Sequence, residues 1–158
     1  MPLHLPGKPG TDVTAAPTDV TYVLDRGFVQ PTVISAYSLL THRATEITLR
    51  FLLTEEAPAL MEAAARLRRL FPAASIDCRV EPGLDHGQTT RGHVSAATLA
   101  RLKLPMLVEQ PTLYLDGDTM LCRDVALAFA TPLQDQPIAA CRDPGIAKAQ
   151  YDTNGPRG

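Results

Sequence analysis

Apolar positions along the chain follow two rhythms, short unbroken runs and helically spaced stripes, and these alternate from Val20 onward. Val20-Thr21-Tyr22-Val23-Leu24 is a short β run that ends in the turn signal Asp25-Arg26-Gly27. Pro31 suits the first turn of a helix, and Val33, Ile34, Tyr37 and Leu40 continue it at helical spacing to about His42. Residues 47–53, ITLRFLL, predict a second strand. Thr54 is placed to cap the next helix, with Glu55 and Glu56 in a first turn where carboxylates suit the dipole. Leu60, Ala64, Leu67 and Phe71 mark that helix's buried face, Arg66, Arg68 and Arg69 its exposed side, and Pro72 its stop. Residues 75–80 alternate as a third strand. Residues 81–92 have the composition of a loop, and 93 to about 104 read as a helix with Pro105 close to its end. Leu113-Tyr114-Leu115 then predicts a short buried strand at the centre of the sheet, residues 125–129 a short helix, and 137–141 (PIAAC) a further strand. Strands alternating with helices imply an α/β sheet, mostly parallel. There is no internal repeat.

Composition narrows the class. At 158 residues, 45% hydrophobic and 20% charged, the chain is sized and balanced for one globular domain with a real core. A formal net charge of −2, mixed along the sequence, offers no basic surface for nucleic acid. Cys78, Cys122 and Cys141 are widely spaced, with no C-x-x-C pair, so neither a zinc site nor a disulfide framework is indicated, and buried reduced thiols in a cytoplasmic protein are expected. The proline-rich start lacks the apolar core of a signal peptide, and no stretch reaches transmembrane length. The expected organisation is a poorly ordered leader over 1–18, a domain over 19–143 and a polar tail over 144–158.

The chemistry concentrates in PTLYLDGDTMLCRD, residues 111–124. Asp116 and Asp118 flank Gly117 where a strand ends, and two carboxylates so placed suit a hard divalent cation, Mn²⁺ or Mg²⁺, that completes its shell with substrate phosphate. Gly117 would let the backbone turn sharply and a phosphate come close. The carboxyl end of a strand is also where open α/β sheets bind ligands. An isolated D-x-D arises by chance, however, and Asp-Gly is a common turn.

Three blocks taken together are more specific: VTYVLDRGFVQPTVISAYSLL, GHVSAATLARLKLP and TLYLDGDTMLCRDVALAFATPLQDQPIAACRD. In this order and spacing they resemble the first half of a family 8 glycosyltransferase. The resemblance runs from about residue 20 to 143. It implies a GT-A, Rossmann-like nucleotide-sugar-binding sheet flanked by helices, and transfer of a hexose from a UDP-sugar donor with retention of configuration, Mn²⁺ (or Mg²⁺) being the cofactor. By position, Asp116 and Asp118 would hold the metal against the diphosphate, and Asp25 would contact the uracil. Val23 would lie beside the base, Phe28 would stack near the nucleotide, and Arg101 would reach toward the donor. His93 and Asp143 would lie near the sugars. Gly27 departs from the family, which often carries a polar residue there. The family's second half, with an asparagine of an N-A-G-type strand, a further aspartate and a late metal-binding histidine, has no counterpart beyond the Asn154-Gly155 pair. The chain is therefore expected to transfer sugar poorly unless completed by further sequence, and an uncovered sheet edge offers a route to homo-oligomers.

Plainer roles are open to each of these residues: a turn for Asp25, a solvated helix position for Arg101, a helix entry for His93 and core for Phe28. No nucleophile is assigned, and the acceptor, whether glycan, lipid-linked saccharide or protein, is not specified. A non-catalytic nucleotide- or partner-binding module is the alternative function. An unrelated nucleotide-binding α/β enzyme is disfavoured by the absence of G-x-G-x-x-G and P-loop motifs.

Overall fold

The computed structural model describes residues 18–81 and 100–141. The leader to residue 17, most of the expected 81–92 loop, the start of the helix at 93 and the tail from 142, with His93 and Asp143, lie outside the described residues.

The chain enters through β1 (Thr18–Leu24), every residue of which is buried. This begins two residues earlier than the apolar run, because the Thr18 amide already donates to the Glu46 carbonyl at 3.1 Å. A single 3₁₀ turn, Arg26–Phe28, leads into α1 (Val29–His42). Then come β2 (Ile47–Leu53), α2 (Pro58–Leu70) and β3 (Ala74–Val80), as the apolar pattern predicts. Thr54 does not cap α2. The helix starts with Pro58 in its first turn and Ala57 at the cap, while Glu55 turns away to an ion pair with Arg26 at 2.8 Å. Proline supplies the entry instead, its fixed φ and missing N–H costing nothing there.

The sheet is parallel throughout, in the order β3-β2-β1-β4, with β4 being Leu113–Tyr114. β4 corrects the expectation of a buried central strand. It is two residues long, half-buried, and outermost on its side among the described residues. It meets β1 only at Val20↔Leu113 and Thr21↔Tyr114, with the Leu115 amide on the Thr21 carbonyl at 3.1 Å. Pro111 has no N–H to extend the ladder upstream, and the chain turns away at Asp116. Residues 137–141 form no strand and are exposed, Ile138 by 74%, with no neighbouring strand among the described residues to pair with. They follow a tight reversal at Leu133–Gln136 with positive φ at Gln134 and Asp135. Cys122 and Cys141 are exposed and Cys78 is half-buried, all free, so the expectation of buried thiols fails for two of three. Their stretches lie outside the layers that build the core.

Alternation along the strands divides the sheet into two faces. Val20, Tyr22 and Leu24 with Leu49, Phe51 and Leu53 face α1 and α2, meeting Ala36, Leu39, Leu60, Ala64 and Leu67 in the main core. Tyr22 stacks on Phe51 at 5.6 Å between ring centroids. On the opposite face, Val23 and Leu52 pack under Ala100 and Leu104, from a short helical segment made of a 3₁₀ turn (Arg101–Lys103) and α3 (Leu104–Leu107). Pro105 sits inside the first turn of α3 and does not end it. The last helix among the described residues, α4 (Ala126–Phe129), is tied back by Asp124, whose two carboxylate oxygens accept the Ala126 amide at 2.9 Å and the Ala44 amide at 2.7 Å.

Tyr22 carries a hydroxyl into the core and bonds it to Ser35 at 2.8 Å. Burial pushes its phenol from 10.0 up to about 12, against the opposing Ser35 hydrogen bond. The folded state therefore favours the neutral phenol, and this contribution is intact below pH 10 and lost as pH rises towards 12. Tyr22→Phe is expected to cost about 1 kcal/mol at neutral pH from the lost hydrogen bond. It should also flatten the alkaline limb of the stability curve between pH 10 and 12, read by denaturant unfolding across pH.

Candidate functional site

The chain order of the strands locates a crevice. From β1 the chain winds through β2 and β3 in one direction, with α1 and α2 on one face. It then returns to place β4 on the other side of β1, preceded by a segment on the opposite face. Connections therefore diverge between β1 and β4, the topological switch point at which open parallel sheets bind ligands beyond their carboxyl ends. Asp25 follows the last residue of β1, and Asp116 lies two residues beyond β4. Two acidic residues from distant parts of the sequence thus stand at the mouths of neighbouring strands.

The acidic turn is fixed by hydroxyls. The Thr119 amide and hydroxyl both donate to the Asp116 carbonyl, at 3.1 and 2.7 Å, closing a turn over Asp116-Gly117-Asp118. The same hydroxyl meets Ser35 of α1 at 3.1 Å, and Ser35 meets Tyr22. Ser38, one turn on, accepts the Leu121 amide at 2.9 Å. Gly117 is buried against the start of α1, where an added Cβ would lie 2.2 Å from Thr32 Oγ1 and 3.0 Å from the Phe28 ring. Its backbone lies outside the left-handed region, so glycine is required here for close packing on α1, not for a sharp turn. Thr32 is itself held, donating to the Phe28 carbonyl at 2.7 Å.

Asp116 is engaged on its side chain. Tyr114 Oη donates to Asp116 Oδ1 at 2.6 Å, and Arg101 Nη1 reaches the same oxygen at 3.1 Å. Burial, and then the bond to Asp116, push the Tyr114 phenol above its ordinary range, so it stays a donor at neutral pH. Asp118 is exposed within the turn, and Phe28 is 41% exposed beside Gly117. Asp25 is half-buried, its Oδ1 only 3.3 Å from where a Cβ on Gly27 would stand. The Arg26 backbone and guanidinium both grip Glu55, at 3.3 and 2.8 Å, which fixes this turn to the end of β2. Val23 is buried under Ala100 and Leu104, one residue from Arg101. Of the residues expected from sequence, Val23, Asp25, Phe28, Arg101, Asp116 and Asp118 thus occupy the carboxyl end of β1 and β4, while His93 and Asp143 lie outside the described residues. Sequence reading missed Thr32, Ser35, Ser38, Tyr114 and Thr119. Three of these, Thr32, Ser35 and Ser38, fall at i, i+3, i+6 along α1, a stripe of small hydroxyl residues that could have betrayed them.

As a cation site, the carboxylate pair supplies hard oxygen ligands but no complete protein shell. Among the described residues, no group of three or more His, Cys, Asp or Glu side chains is placed to hold a metal ion. That donor set fits a cation that keeps water and phosphate ligands, the habit of Mg²⁺ and Mn²⁺.

The architecture recurs in solved glycosyltransferases. An active-site mutant of LgtC matches with a TM-score of 0.68 and 26% identity, over 80% of this chain and 46% of its own. The galactosyltransferase LgtC in complex with donor and acceptor sugar analogues matches with a TM-score of 0.60 and 26% identity, over 73% and 43%. The fold is that of a GT-A glycosyltransferase. The apo bifunctional glycosyltransferase WbbM, at 21% identity and a TM-score of 0.58, shares the fold over 80% of this chain and 22% of its own. The chain spans less than half the length of each of these proteins. Neither a protein-family model nor a curated protein matches the sequence. No helix among the described residues is long and apolar enough to cross a membrane.

Gly117→Ala in this GT-A sheet should destabilise by about 1–3 kcal/mol, the usual cost of forcing atoms into a packed site. Thr32→Ala added to it should recover part of that loss, because it removes the hydroxyl lying 2.2 Å from the new Cβ. A double-mutant cycle by denaturant unfolding measures the coupling, and strictly additive effects would contradict the contact.

Proposed function

We propose that this chain is the nucleotide-sugar-binding part of a retaining, family 8-type glycosyltransferase, using a UDP-sugar donor and a divalent cation. The observation that carries the proposal is the convergence of Asp25, Asp116 and Arg101 at the switch point between β1 and β4, in a sheet shared with a galactosyltransferase whose structure holds donor and acceptor sugar analogues.

Each residue has a role that its surroundings support. Asp25, at the end of β1, accepts hydrogen bonds from the uracil, and Phe28 offers its exposed ring to the nucleotide. Val23 forms an apolar floor with Leu52. Asp116 and Asp118 hold Mn²⁺ or Mg²⁺ against the diphosphate; such an ion, when bound, neutralises charge developing on the departing UDP. Arg101, whose guanidinium meets Asp116 Oδ1 at 3.1 Å, would lend its positive charge to the donor diphosphate. No residue is assigned as nucleophile. The acceptor, a glycan, a lipid-linked saccharide or a protein, would meet this end of the sheet opposite the diphosphate. His93 and Asp143 are proposed to approach the sugars.

Two measurements test the proposal. UDP should bind more tightly in the presence of Mn²⁺ than with chelator in calorimetry, and Asp118→Ala should abolish the difference. Equal affinity with and without the metal overturns the cation site. Asp25→Ala should weaken uridine itself about tenfold, the worth of a hydrogen bond to a charged group. It should leave the metal-dependent increment in place, and equal losses from both variants on uridine and UDP would overturn this division of roles.

A further inference from the structure

We infer that Tyr114 is a positioning residue that holds the Asp116 carboxylate and the Arg101 guanidinium in one unit. The inference deepens the proposed function and rests on its reading of Asp116 as a cation ligand. Tyr114 precedes Asp116 by two residues at the end of a strand, so both side chains leave the same face. Its Oη donates to Asp116 Oδ1 at 2.6 Å. Its ring lies beneath Arg101, the guanidinium carbon 5.8 Å from the ring centroid, while Arg101 Nη1 bonds the same Oδ1 at 3.1 Å. One aromatic side chain therefore touches an anion with its edge and a cation with its face, as the ring's charge distribution favours.

Packing makes this an anchor. The ring is half-buried against the cluster of Val23, Leu52, Ala100 and Leu104, which restricts its rotamer. A neutral phenol binds Asp116 without adding charge, so it orients the carboxylate without competing electrostatically with a cation. With two donors on Oδ1, the oxygen left for monodentate coordination is Oδ2. When a cation engages Asp116 and weakens the hold of the carboxylate on Arg101, the ring face still supports the guanidinium beside the donor diphosphate. Hydrogen-bond partners of metal ligands act in this way generally, and their removal typically costs 10–100-fold in metal affinity.

The test compares the wild-type chain with Tyr114→Phe and Tyr114→Leu. Mn²⁺ affinity in the presence of a fixed concentration of UDP is read from the electron paramagnetic resonance of the free ion, Arg101 Nε–H is read by NMR in metal-free protein, and thermal unfolding is measured alongside. Tyr114→Phe should weaken Mn²⁺ about tenfold with little change in melting temperature, and should keep the ring-current-shifted Arg101 resonance. Tyr114→Leu should weaken Mn²⁺ similarly and also move that resonance towards its solvent-exposed position. Wild-type binding of Mn²⁺ with an unchanged or tighter affinity in Tyr114→Phe overturns the inference and leaves the cation site standing. Absence of Mn²⁺ binding by the wild-type chain overturns the cation-site reading and this inference with it. Should the leucine variant fail to fold, the phenylalanine variant alone decides, because it retains the packed ring.

Discussion

The acidic turn beyond β4 depends on a relay of hydroxyls that runs from the core at Tyr22 and Ser35 to the half-buried Thr119. Tyr22 lies wholly inside the main core, and its hydroxyl passes a hydrogen bond to Ser35, which passes it to Thr119, which closes the turn on the Asp116 carbonyl. In a low-dielectric interior such chains are costly to leave half-made, so each member constrains the next. The acidic turn is consequently a continuation of the core, although its carboxylates reach solvent. Gly117 adds the steric half of the same constraint by letting the turn settle on α1.

The strongly patterned elements were legible in the sequence because one physical signal dominated each. β1 and β2 each carry one continuous apolar face, Val20-Tyr22-Leu24 and Ile47-Leu49-Phe51-Leu53, because that face packs on the main core, and α2 shows its stripe at Leu60, Ala64 and Leu67 because one side meets the sheet. Legibility failed where tertiary context decides. Leu113-Tyr114-Leu115 reads as a core strand, but among the described residues its partner is β1 on one side alone, and Pro111 and the acidic turn cut that ladder to two residues. PIAAC is apolar enough to be a strand and has no neighbour among the described residues to make it one. Thr54 has the chemistry of a cap, but proline at the entry of α2 made the cap unnecessary.

The candidate site divides in the same way. Asp116 and Asp118 announced themselves by position after an apolar run, and Asp25 and Arg101 through the resemblance of their blocks to a known family. Their supports did not. Serine and threonine on a helix are ambiguous in sequence, since a hydroxyl can bond its own backbone as readily as a distant turn. α1 does both: Thr41 bonds the Tyr37 carbonyl, whereas Ser35 reaches across to Thr119. Tyr114 read as core, and only the geometry reveals its edge on Asp116 and its face under Arg101.

The pairing of β1 with β4 has a consequence for how the molecule is put together. β1, β2 and β3 interlock along seven-residue registers through short connections, whereas Thr112 reaches Thr21 across 91 residues of chain and β4 contributes only two ladder positions. So few rungs across so long a span make the β1–β4 ladder the most lightly secured pairing of the sheet among the described residues. A ligand that touches Asp25 and Asp116 together would span the long and the short ladders, so its binding energy would act as the missing rungs of the short one. In this sheet, occupancy of such a crevice and completion of the fold would be thermodynamically linked events.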